Sequence, residues 1–203
     1  HLQKFVDIAI ETKPDIILIP GDLIDDNIEP FLDKKMGEIM KQLHAPLGVF
    51  ATTGNHDYYG NDAEEIISTM EELGIEMLTD ESVLIEDSFY IVGRNDETDK
   101  KRKKMRELVE GLDPLKPLIM LDHQPNELGN AMELGVDLLL SGHTHHGQVA
   151  PANFITNLLY ENDYGYLRKG DLHSIVSSGF GTWGPPLRIG TQAEAVMIVV
   201  RFR

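Results

Sequence analysis

Apolar runs and helical stripes alternate along most of the chain. Runs of consecutive apolar residues predict strands covered on both faces, as parallel strands are. These runs lie at residues 15–20, 47–53, 118–121 and 137–140. Apolar residues at helical spacing predict helices at residues 2–12, 30–43 and 62–73. Strands and helices therefore alternate in the first half of the chain.

The second half carries more of the patterns that are typical of strands. Short strands are predicted at residues 82–86, 89–93, 166–169, 174–178 and 195–202. Alternating strands and helices followed by strands favour an α/β layered fold, with helices packed outside a central sheet or a pair of sheets. Neither an internal repeat nor a low-complexity linker divides the sequence, so residues 1–203 are predicted to form a single domain.

Composition narrows the classes of function. The chain has 203 residues, a formal net charge of -16 and no cysteine, which excludes disulfides, thiolate metal sites and a cysteine nucleophile. The negative charge argues against binding to a nucleic-acid duplex and disfavours tight docking on anionic lipid. No apolar run reaches the length needed to cross a bilayer. Because the sequence begins with His1, we expect a fragment whose natural N-terminus, with any membrane or cell-wall anchor, lies outside it.

Polar residues follow four of the predicted strands at the point where each strand ends. In chain order they are Asp22, Asn55 with His56, His123, and His143 with His145. Ligands in open α/β sheets gather at the carboxyl ends of strands, so we expect these side chains to converge. Alternation along an extended chain would send His143 and His145 to the same side, with Thr144 pointing away.

The types of these residues predict a metal site. Oxygen and imidazole ligands without sulfur suit Mn, Fe or Zn. A carboxylate can bridge two cations, and Asp22 is the candidate bridge. Two such ions about 3.5–4 Å apart would hold a phosphoryl oxygen and convert a shared water to hydroxide. His56 is the candidate proton donor to the developing charge, with Asp57 expected to orient its ring.

Four segments resemble the successive motifs of the calcineurin-like metallophosphoesterases. They are Gly21-Asp22-Leu23-Ile24-Asp25, Gly54-Asn55-His56-Asp57, His123 and Gly142-His143-Thr144-His145, in family order over nearly the whole chain. The resemblance implies a four-layer α/β/β/α sandwich with a dinuclear site at one edge of two sheets. It also implies a role for each residue: Asp22 bridges the metals, Asn55, His123 and His143 bind the second metal, His145 binds the first, and His56 lies at the leaving group.

A finer resemblance is to a bacterial branch of phosphodiesterases that are often held at the membrane or the cell wall. It rests on residues 121–125, 140–148 and 178–190. The family's first motif, an Asp-x-His at the end of the first strand, is absent from this sequence. We therefore expect the fold to lack its first strand, and two ligands of the first metal are missing from the 203 residues.

Residues beside these motifs are expected to have other roles. His146 stands where relatives usually have glycine, and we expect it at the cleft rim and not on a metal. Asp25 and Asp26 are expected to cap the following helix or to support the ligands. Trp183 and Arg188 lie in a Gly/Pro-rich loop that either lines the cleft or packs a turn, and Arg188 could meet a phosphate.

The remaining charged features are predicted to lie on the surface. His44 and His173 have no motif around them and are expected to be ordinary exposed residues. The basic run at residues 100–106 is predicted to be a solvated helix face that continues to residue 111. The alternative for this run is a docking patch for an acidic partner or anionic head groups.

The predicted function is metal-dependent hydrolysis of a phosphoester, with a diester favoured over a monoester by the family branch. The Ser/Thr phosphatases of the superfamily carry Asp-Arg-Gly where this chain has Asp25-Asp26-Asn27, and Glu in place of Asp57, which argues against a phosphoprotein substrate. The alternative is a non-catalytic scaffold on the same fold. A lipid head-group diester, a cell-wall diester and a nucleotide all remain open as substrates, as do the oligomeric state and the identity of the metals.

Overall fold

The computed structural model describes residues 2–202. The helices are α1 (Leu2–Glu11), α2 (Glu29–Asp33), α3 (Gly37–Met40), α4 (His56–Tyr59), α5 (Ala63–Glu72), α6 (Met105–Val109), α7 (Leu128–Glu133) and α8 (Ala152–Leu159). The strands are β1 (Ile17–Pro20), β2 (Val49–Thr52), β3 (Glu76–Met77), β4 (Glu81–Ile85), β5 (Phe89–Arg94), β6 (Leu118–Asp122), β7 (Leu138–Ser141), β8 (Gly165–Lys169) and β9 (Leu172–Val176). Within residues 2–202, no helix is long and apolar enough to cross a membrane.

The strands form two sheets. A three-stranded parallel sheet has the order β1-β2-β3, with Ile17 opposite Val49. A six-stranded sheet has the order β4-β5-β6-β7-β9-β8, in which the four inner strands are parallel and the two edge strands antiparallel. The parallel strands of each sheet therefore bring their carboxyl ends to one edge, as the sequence predicts for ligand-bearing strands.

Three apolar cores separate four layers. The core between the outer helices and the three-stranded sheet includes Val6, Phe31, Ala51 and Ile66. The core between the two sheets includes Phe50, Ile91, Leu121 and Leu140. The core between the six-stranded sheet and helices α6 and α7 includes Met105, Met120, Leu128 and Leu139. The fold is thus the α/β/β/α sandwich that the family resemblance implies, with β6 and β7 buried on both faces.

The helices differ from the prediction in three places. The helix expected over residues 30–43 is divided into α2 and α3, because the chain turns between them with Lys35 in the left-handed region at φ 51°. Helices α4 and α8 were not predicted. The basic run lies mostly before α6, which begins at Met105.

The strand predicted over residues 195–202 is absent from the described chain. Its β-branched residues make no ladder, and Val199 is 76% exposed. Two isolated contacts hold the segment: Ile198 packs against the core between the sheets, and the ring of Phe202 stacks on Phe89 with centroids 5.1 Å apart. Strand propensity measures fit to a neighbouring strand, and within residues 2–202 no strand pairs with this segment.

Candidate metal centre

Four strands deliver polar side chains to one cleft between the two sheets. Strands β1 and β2 end just before Asp22 and Asn55, and strands β6 and β7 end just before His123 and His143. The imidazole Nδ1 of His123 donates to the carbonyl oxygen of Pro20 at 2.7 Å, which joins the end of β6 to the end of β1. The convergence expected from the sequence is therefore present.

Two glycines allow the loops after β1 and β2 to approach each other. Gly21 has φ +91°, and a Cβ there would lie 2.7 Å from the Nδ1 of His123. A Cβ on Gly54 would overlap the carboxylate of Asp22. The Asp22 carboxylate occupies that space and accepts from the backbone N–H of His56 at 3.0 Å. Glycine at both positions is thus required for the ligand-bearing loops to meet.

The imidazole of His123 is fully buried and points at Asp22. With Nδ1 bonded to the Pro20 carbonyl, Nε2 lies 3.0 Å from Oδ2 of Asp22. That geometry makes no hydrogen bond, so within residues 2–202 the buried Nε2 has no hydrogen-bond partner. Burial alone would lower the pKa of His123, but the adjacent Asp22 carboxylate outweighs it and raises the pKa to about 9.

Asn55 and His143 form the adjoining part of the cleft. The Nδ1 of His143 donates to Oδ1 of Asn55 at 2.7 Å, and Nδ2 of Asn55 donates to the hydroxyl oxygen of Tyr59 at 2.9 Å. The rings of His123 and His143 meet edge to face with centroids 5.3 Å apart. Burial lowers the pKa of His143, so its second ring nitrogen carries a free lone pair at neutral pH.

The loop that carries the histidines is not extended, so the predicted alternation is wrong. His143 and His145 have φ values of 65° and 48°, and the chain forms a 3₁₀ turn from His145. The hydroxyl of Thr144 accepts from the backbone N–H of His146 at 3.2 Å and donates to the carbonyl oxygen of Asp163 at 2.6 Å. The turn residues, not strand pleating, orient the two imidazoles.

His145 faces Arg188 at the other side of the cleft. The Nη2 of Arg188 lies 3.4 Å from Nδ1 of His145 and donates to the carbonyl oxygen of Ser178 at 2.7 Å. Burial first, and the guanidinium charge second, lower the pKa of His145 to about 4. The ring is therefore neutral at pH 7, which is the form that binds metal. The Gly/Pro-rich loop lines the cleft through Arg188.

His56 is held by two carboxylates, and Asp57 is not one of them. Its Nδ1 lies 2.7 Å from Oδ1 of Asp26 and 3.1 Å from Oδ1 of Asp25. The carboxylate of Asp57 instead accepts from the backbone N–H groups of Gly54 at 2.8 Å and Ile24 at 3.0 Å. The prediction that Asp57 orients the His56 ring is therefore wrong. The helical turn of α4 buries the aspartate behind the loop, away from the imidazole.

The environment of Asp57 raises its pKa. The carboxylate is completely buried, and burial raises its pKa to about 6 although the two backbone N–H groups act in the opposite direction. Asp25 and Asp26 are exposed, and helix α2 receives no side-chain cap from them. Their ligand atoms and that of His56 lie within 4.8 Å of one another. Of the two roles expected for these aspartates, support of a site residue is the one that the geometry fits.

The remaining predicted rim residues lie around this cleft. His146 turns away to Asp163, with Nδ1 3.2 Å from the carboxylate, and its ring lies 4.5 Å from that of Tyr164. Trp183 lies with its ring centroid 6.4 Å from that of His56 and is tied by hydrogen bonds to Gln148. His44 and His173 are exposed, as predicted.

The sequence did not identify two residues that support the site. Tyr59 binds Asn55, and the ring of Tyr160 lies 6.0 Å from that of His143. A signal existed only for Tyr59, which lies four residues after Asn55 and so shares a face with it once α4 is recognised.

Most of the basic run is exposed, as the sequence predicts, but the side chain of Arg102 turns inward. That side chain is 7% exposed, and its Nη2 lies 2.9 Å from Asp122. Lys101, Lys103 and Lys104 are exposed, and Lys103 also donates to the carbonyl oxygen of Asp80 at 3.1 Å. The run is therefore solvated except at Arg102, but most of it precedes α6 and does not form a helix face.

The cleft residues fit divalent metal ions. Asp22, Asn55, His123, His143 and His145 offer oxygen and imidazole nitrogen atoms as ligands, and the buried Nε2 of His123 makes no hydrogen bond within residues 2–202 although it lies 3.0 Å from Asp22. A buried polar atom without a partner is costly unless a ligand completes it. The donor set suits Mn, Fe or Zn and does not select strictly among them.

Comparison with known proteins places the chain in a family. The sequence profile of the calcineurin-like phosphoesterases matches residues 1–147. The chain belongs to this family. The calcineurin-like phosphoesterases hydrolyse phosphoesters, and they bind divalent metal ions for this reaction.

Several relatives support the assignment. The chain is 34% identical to an uncharacterized metallophosphoesterase of Aquifex aeolicus, covering 93% of this chain and 74% of the relative. It is 31% identical to a zebrafish (Danio rerio) transmembrane protein with metallophosphoesterase domain, covering 98% of the chain and 49% of the relative. It is 35% identical to an uncharacterized metallophosphoesterase of Helicobacter pylori, covering 95% and 54%. The chain thus spans about half the length of the last two.

A solved structure shares the fold. The crystal structure of the Thermus thermophilus protein TT1561 superposes with a TM-score of 0.55 at 14% identity, covering 89% of this chain and 84% of that one. At this identity the likeness concerns the fold alone.

Proposed function

We propose that this cleft is the active site of a metal-dependent phosphodiesterase and that residues 1–203 form its catalytic domain. The observation that carries the proposal is the convergence of Asp22, Asn55, His123 and His143 where four strands end. Nε2 of buried His123 lies 3.0 Å from the Asp22 carboxylate without a hydrogen bond of good geometry, so both groups direct their ligand atoms at the same place. The five-residue donor set around it has the composition of a site for two divalent ions.

The metal-binding roles proposed are those that the family resemblance implies. Asp22, with two carboxylate oxygens, would be shared by two ions, Asn55, His123 and His143 would hold the second ion, and His145 would hold the first. When bound, the ions would polarise the phosphoryl oxygens and lower the pKa of a water for attack on phosphorus. Hydrogen bonds to Pro20 and Asn55 fix the rings of His123 and His143, so the ligand nitrogens are held in place before a metal arrives.

His56 supplies the proton. Because Asp25 and Asp26 occupy the Nδ1 side of the ring, Nε2 is the nitrogen left to face the ester oxygen that departs. Asp57 acts through the backbone. Its carboxylate accepts from the N–H of Ile24, in the loop that carries Asp22, and from the N–H of Gly54, in the loop that carries Asn55. Asp57 is therefore a positioning residue in this proposal.

The diester preference and a membrane setting are the finer parts of the proposal. The diester preference rests on the bacterial branch that residues 121–125, 140–148 and 178–190 resemble. A membrane setting is supported by the names of the zebrafish and bovine relatives, each a transmembrane protein with metallophosphoesterase domain. We propose that this chain likewise acts on a phosphoester at or near a membrane.

The test is hydrolysis of an aryl phosphodiester and the matching monoester by the full-length natural protein, stripped of metal and reloaded with Mn, Fe or Zn. We expect metal-dependent cleavage that favours the diester. His56→Ala should lower kcat on the order of 10²–10³-fold while the metal content stays unchanged. His44→Ala, an exposed histidine, is the matched control and should leave kcat unchanged.

The other outcomes discriminate among the parts of the proposal. Cleavage of the monoester alone would overturn the diester preference and leave the site intact. An unchanged kcat in His56→Ala would remove the proton-donor role. A protein that binds no metal and cleaves neither ester would favour the non-catalytic scaffold.

A further inference from the structure

Helix α8 turns its polar side inward and its apolar side outward. Thr156 donates to Oδ2 of Asp163 at 2.9 Å, and Asn157 donates to Oδ1 of the same residue at 3.3 Å. No residue of the helix is buried. Its outward face consists of four side chains that are between 59% and 86% exposed: Phe154, Ile155, Leu158 and Leu159. A surface helix of a soluble domain normally has the opposite arrangement, so this face requires an apolar partner.

The outward face of α8 is fixed beside the catalytic cleft. Asp163, which binds the inner side of the helix, also contacts the ring of His146 at 3.2 Å and accepts from Thr144 through its carbonyl oxygen at 2.6 Å. Tyr160 directly follows the helix, and its ring lies 6.0 Å from that of His143. Whatever covers the face therefore lies next to the histidines of the metal centre.

The mouth of the cleft is flanked by chain without charge. No Asp, Glu, Lys, Arg or His occurs in residues 147–160 or in residues 174–187, although 26% of the chain is charged and its net charge is -16. Hydrogen bonds between Gln148 and Trp183, at 2.8 and 3.1 Å, join the two segments. Trp183 is 47% exposed and lies on the His56 side of the cleft. Uncharged residues with an exposed indole are typical of a surface that meets the interface of a bilayer.

We propose that the outward face of α8 docks on a phospholipid bilayer and that the cleft beside it receives the phosphoester of a lipid head group. The substrate class rests on the proposed phosphoesterase function, whereas the docking does not. The apolar side chains of α8 match the acyl chains of a phospholipid, and the neighbouring cleft matches its phosphate group. The face itself carries no charge, while Asp25 and Asp26 at the rim of the cleft are exposed, so the surface it fits is zwitterionic.

A protein partner fits this face less well. The four side chains offer on the order of 500 Å², below the roughly 800 Å² that each partner contributes to a stable protein interface. Protein interfaces also carry about one hydrogen bond per 100–200 Å², and these four side chains have no polar atom to make one. A bilayer requires neither the area nor the hydrogen bonds.

The test is binding of the natural metallophosphoesterase domain, with its expected upstream first strand included, to phosphatidylcholine vesicles, measured by co-sedimentation. Leu158→Asp, at a position 86% exposed, should weaken binding at least about tenfold, because it places a charge where a leucine enters the interface. Leu115→Asp is the matched control: that leucine is 90% exposed and lies outside both uncharged segments, so binding should not change. Replacing part of the phosphatidylcholine by phosphatidylglycerol should weaken binding at low salt.

Several results would overturn the docking. No binding to either vesicle would do so, as would equal losses in the two variants. A dimer in sedimentation analysis that Leu158→Asp abolishes would assign the face to a second copy. Hydrolysis of a soluble aryl diester is measured separately: activity without vesicle binding defeats the docking alone, and vesicle binding without activity defeats the proposed function alone.

Discussion

Asp122 and His123 are neighbours at the end of β6, yet they lie in two polar clusters that differ in one respect. Asp122 lies 3.0 Å from Nη1 of Arg94 and 2.9 Å from Nη2 of Arg102, and Glu127 lies 2.8 Å from Arg94. We call these four residues the closed cluster, because each charge faces an opposite charge. The open cluster, on the other side of the strand, consists of Asp22, Asn55, His123 and His143.

The difference between the clusters separates structure from function. In the closed cluster, Asp122 faces the guanidinium groups of Arg94 and Arg102, although burial still raises the pKa of Asp122 to about 6. Both clusters hold buried nitrogen atoms without a hydrogen bond within residues 2–202, on Arg102 and on His123. A guanidinium group offers no lone pair to a cation, whereas the imidazole, amide and carboxylate groups of the open cluster do. We therefore expect the closed cluster to govern folding and the open cluster to govern metal binding and activity.

The largest effect expected is the loss of activity in His123→Ala. The substitution removes the ligand nitrogen that faces the carboxylate of Asp22, and we expect kcat/KM for an aryl diester to fall on the order of 10³-fold at saturating metal. Steady-state kinetics with metal analysis of the purified variant measures this. A loss smaller than tenfold would show that His123 is not a ligand and that the open cluster has another role.

The next largest effect is on folding, in Asp122→Ala. Removing the carboxylate leaves two buried guanidinium groups without their counter-charge, so the free energy of unfolding should fall by about 3–5 kcal/mol. Urea denaturation followed by circular dichroism measures it. Asp171→Ala removes an exposed aspartate 3.8 Å from Arg168 and serves as the control, since its urea midpoint should not move. Equal midpoints for the two variants would contradict the contrast between the clusters.

Metal should stabilise the protein through the open cluster alone. Added Mn²⁺ at about 100 times its Kd should raise the free energy of unfolding by about 2.7 kcal/mol. Asp122→Ala should keep this increment, and His123→Ala should lose most of it. Thermal melts with and without the ion test the prediction, and an increment that disappears in Asp122→Ala would mean that the two clusters are coupled.

The smallest effect concerns the support of Asn55. Tyr59→Phe removes only the hydroxyl that accepts from Nδ2 of Asn55, so metal affinity should fall by about tenfold with little change in folding. Calorimetric titration with Mn²⁺ measures the affinity. Tyr166→Phe is the matched control. It removes the hydroxyl of an exposed tyrosine that contacts His173 away from the cleft, so the metal affinity should not change.

The sequence predicted the strands and their ends better than the loops between them. Buried parallel strands such as β6 and β7 are continuous apolar runs, and their ends were marked by His123 and His143, as Asp22 marked the end of β1. The two imidazoles of the loop after β7 were expected on an extended chain, but turn residues at positive φ orient them. Local alternation is informative inside a ladder and fails where the backbone leaves it.

Long-range contacts were the other source of error. Nothing near Asp57 in the sequence shows that the loop before α2 supplies the carboxylates for His56. The segment 195–202 has the composition of a strand, but pairing depends on a neighbour that a local pattern does not specify. The inward turn of Arg102 within the basic run was not foreseen, because its partner, Asp122, is twenty positions away along the chain.

The position of Asp122 and His123 on opposite faces of one strand has a consequence for how this chain can change in evolution. Side chains of a strand alternate between its faces, so inserting or deleting a single residue within β6 would exchange the two. The imidazole would then meet the guanidinium groups of Arg94 and Arg102, and the carboxylate would enter the cleft beside Asp22, like charge against like. A substitution of Asp122 or of His123 affects one cluster, whereas a change in the length of β6 would damage the folding cluster and the binding cluster together.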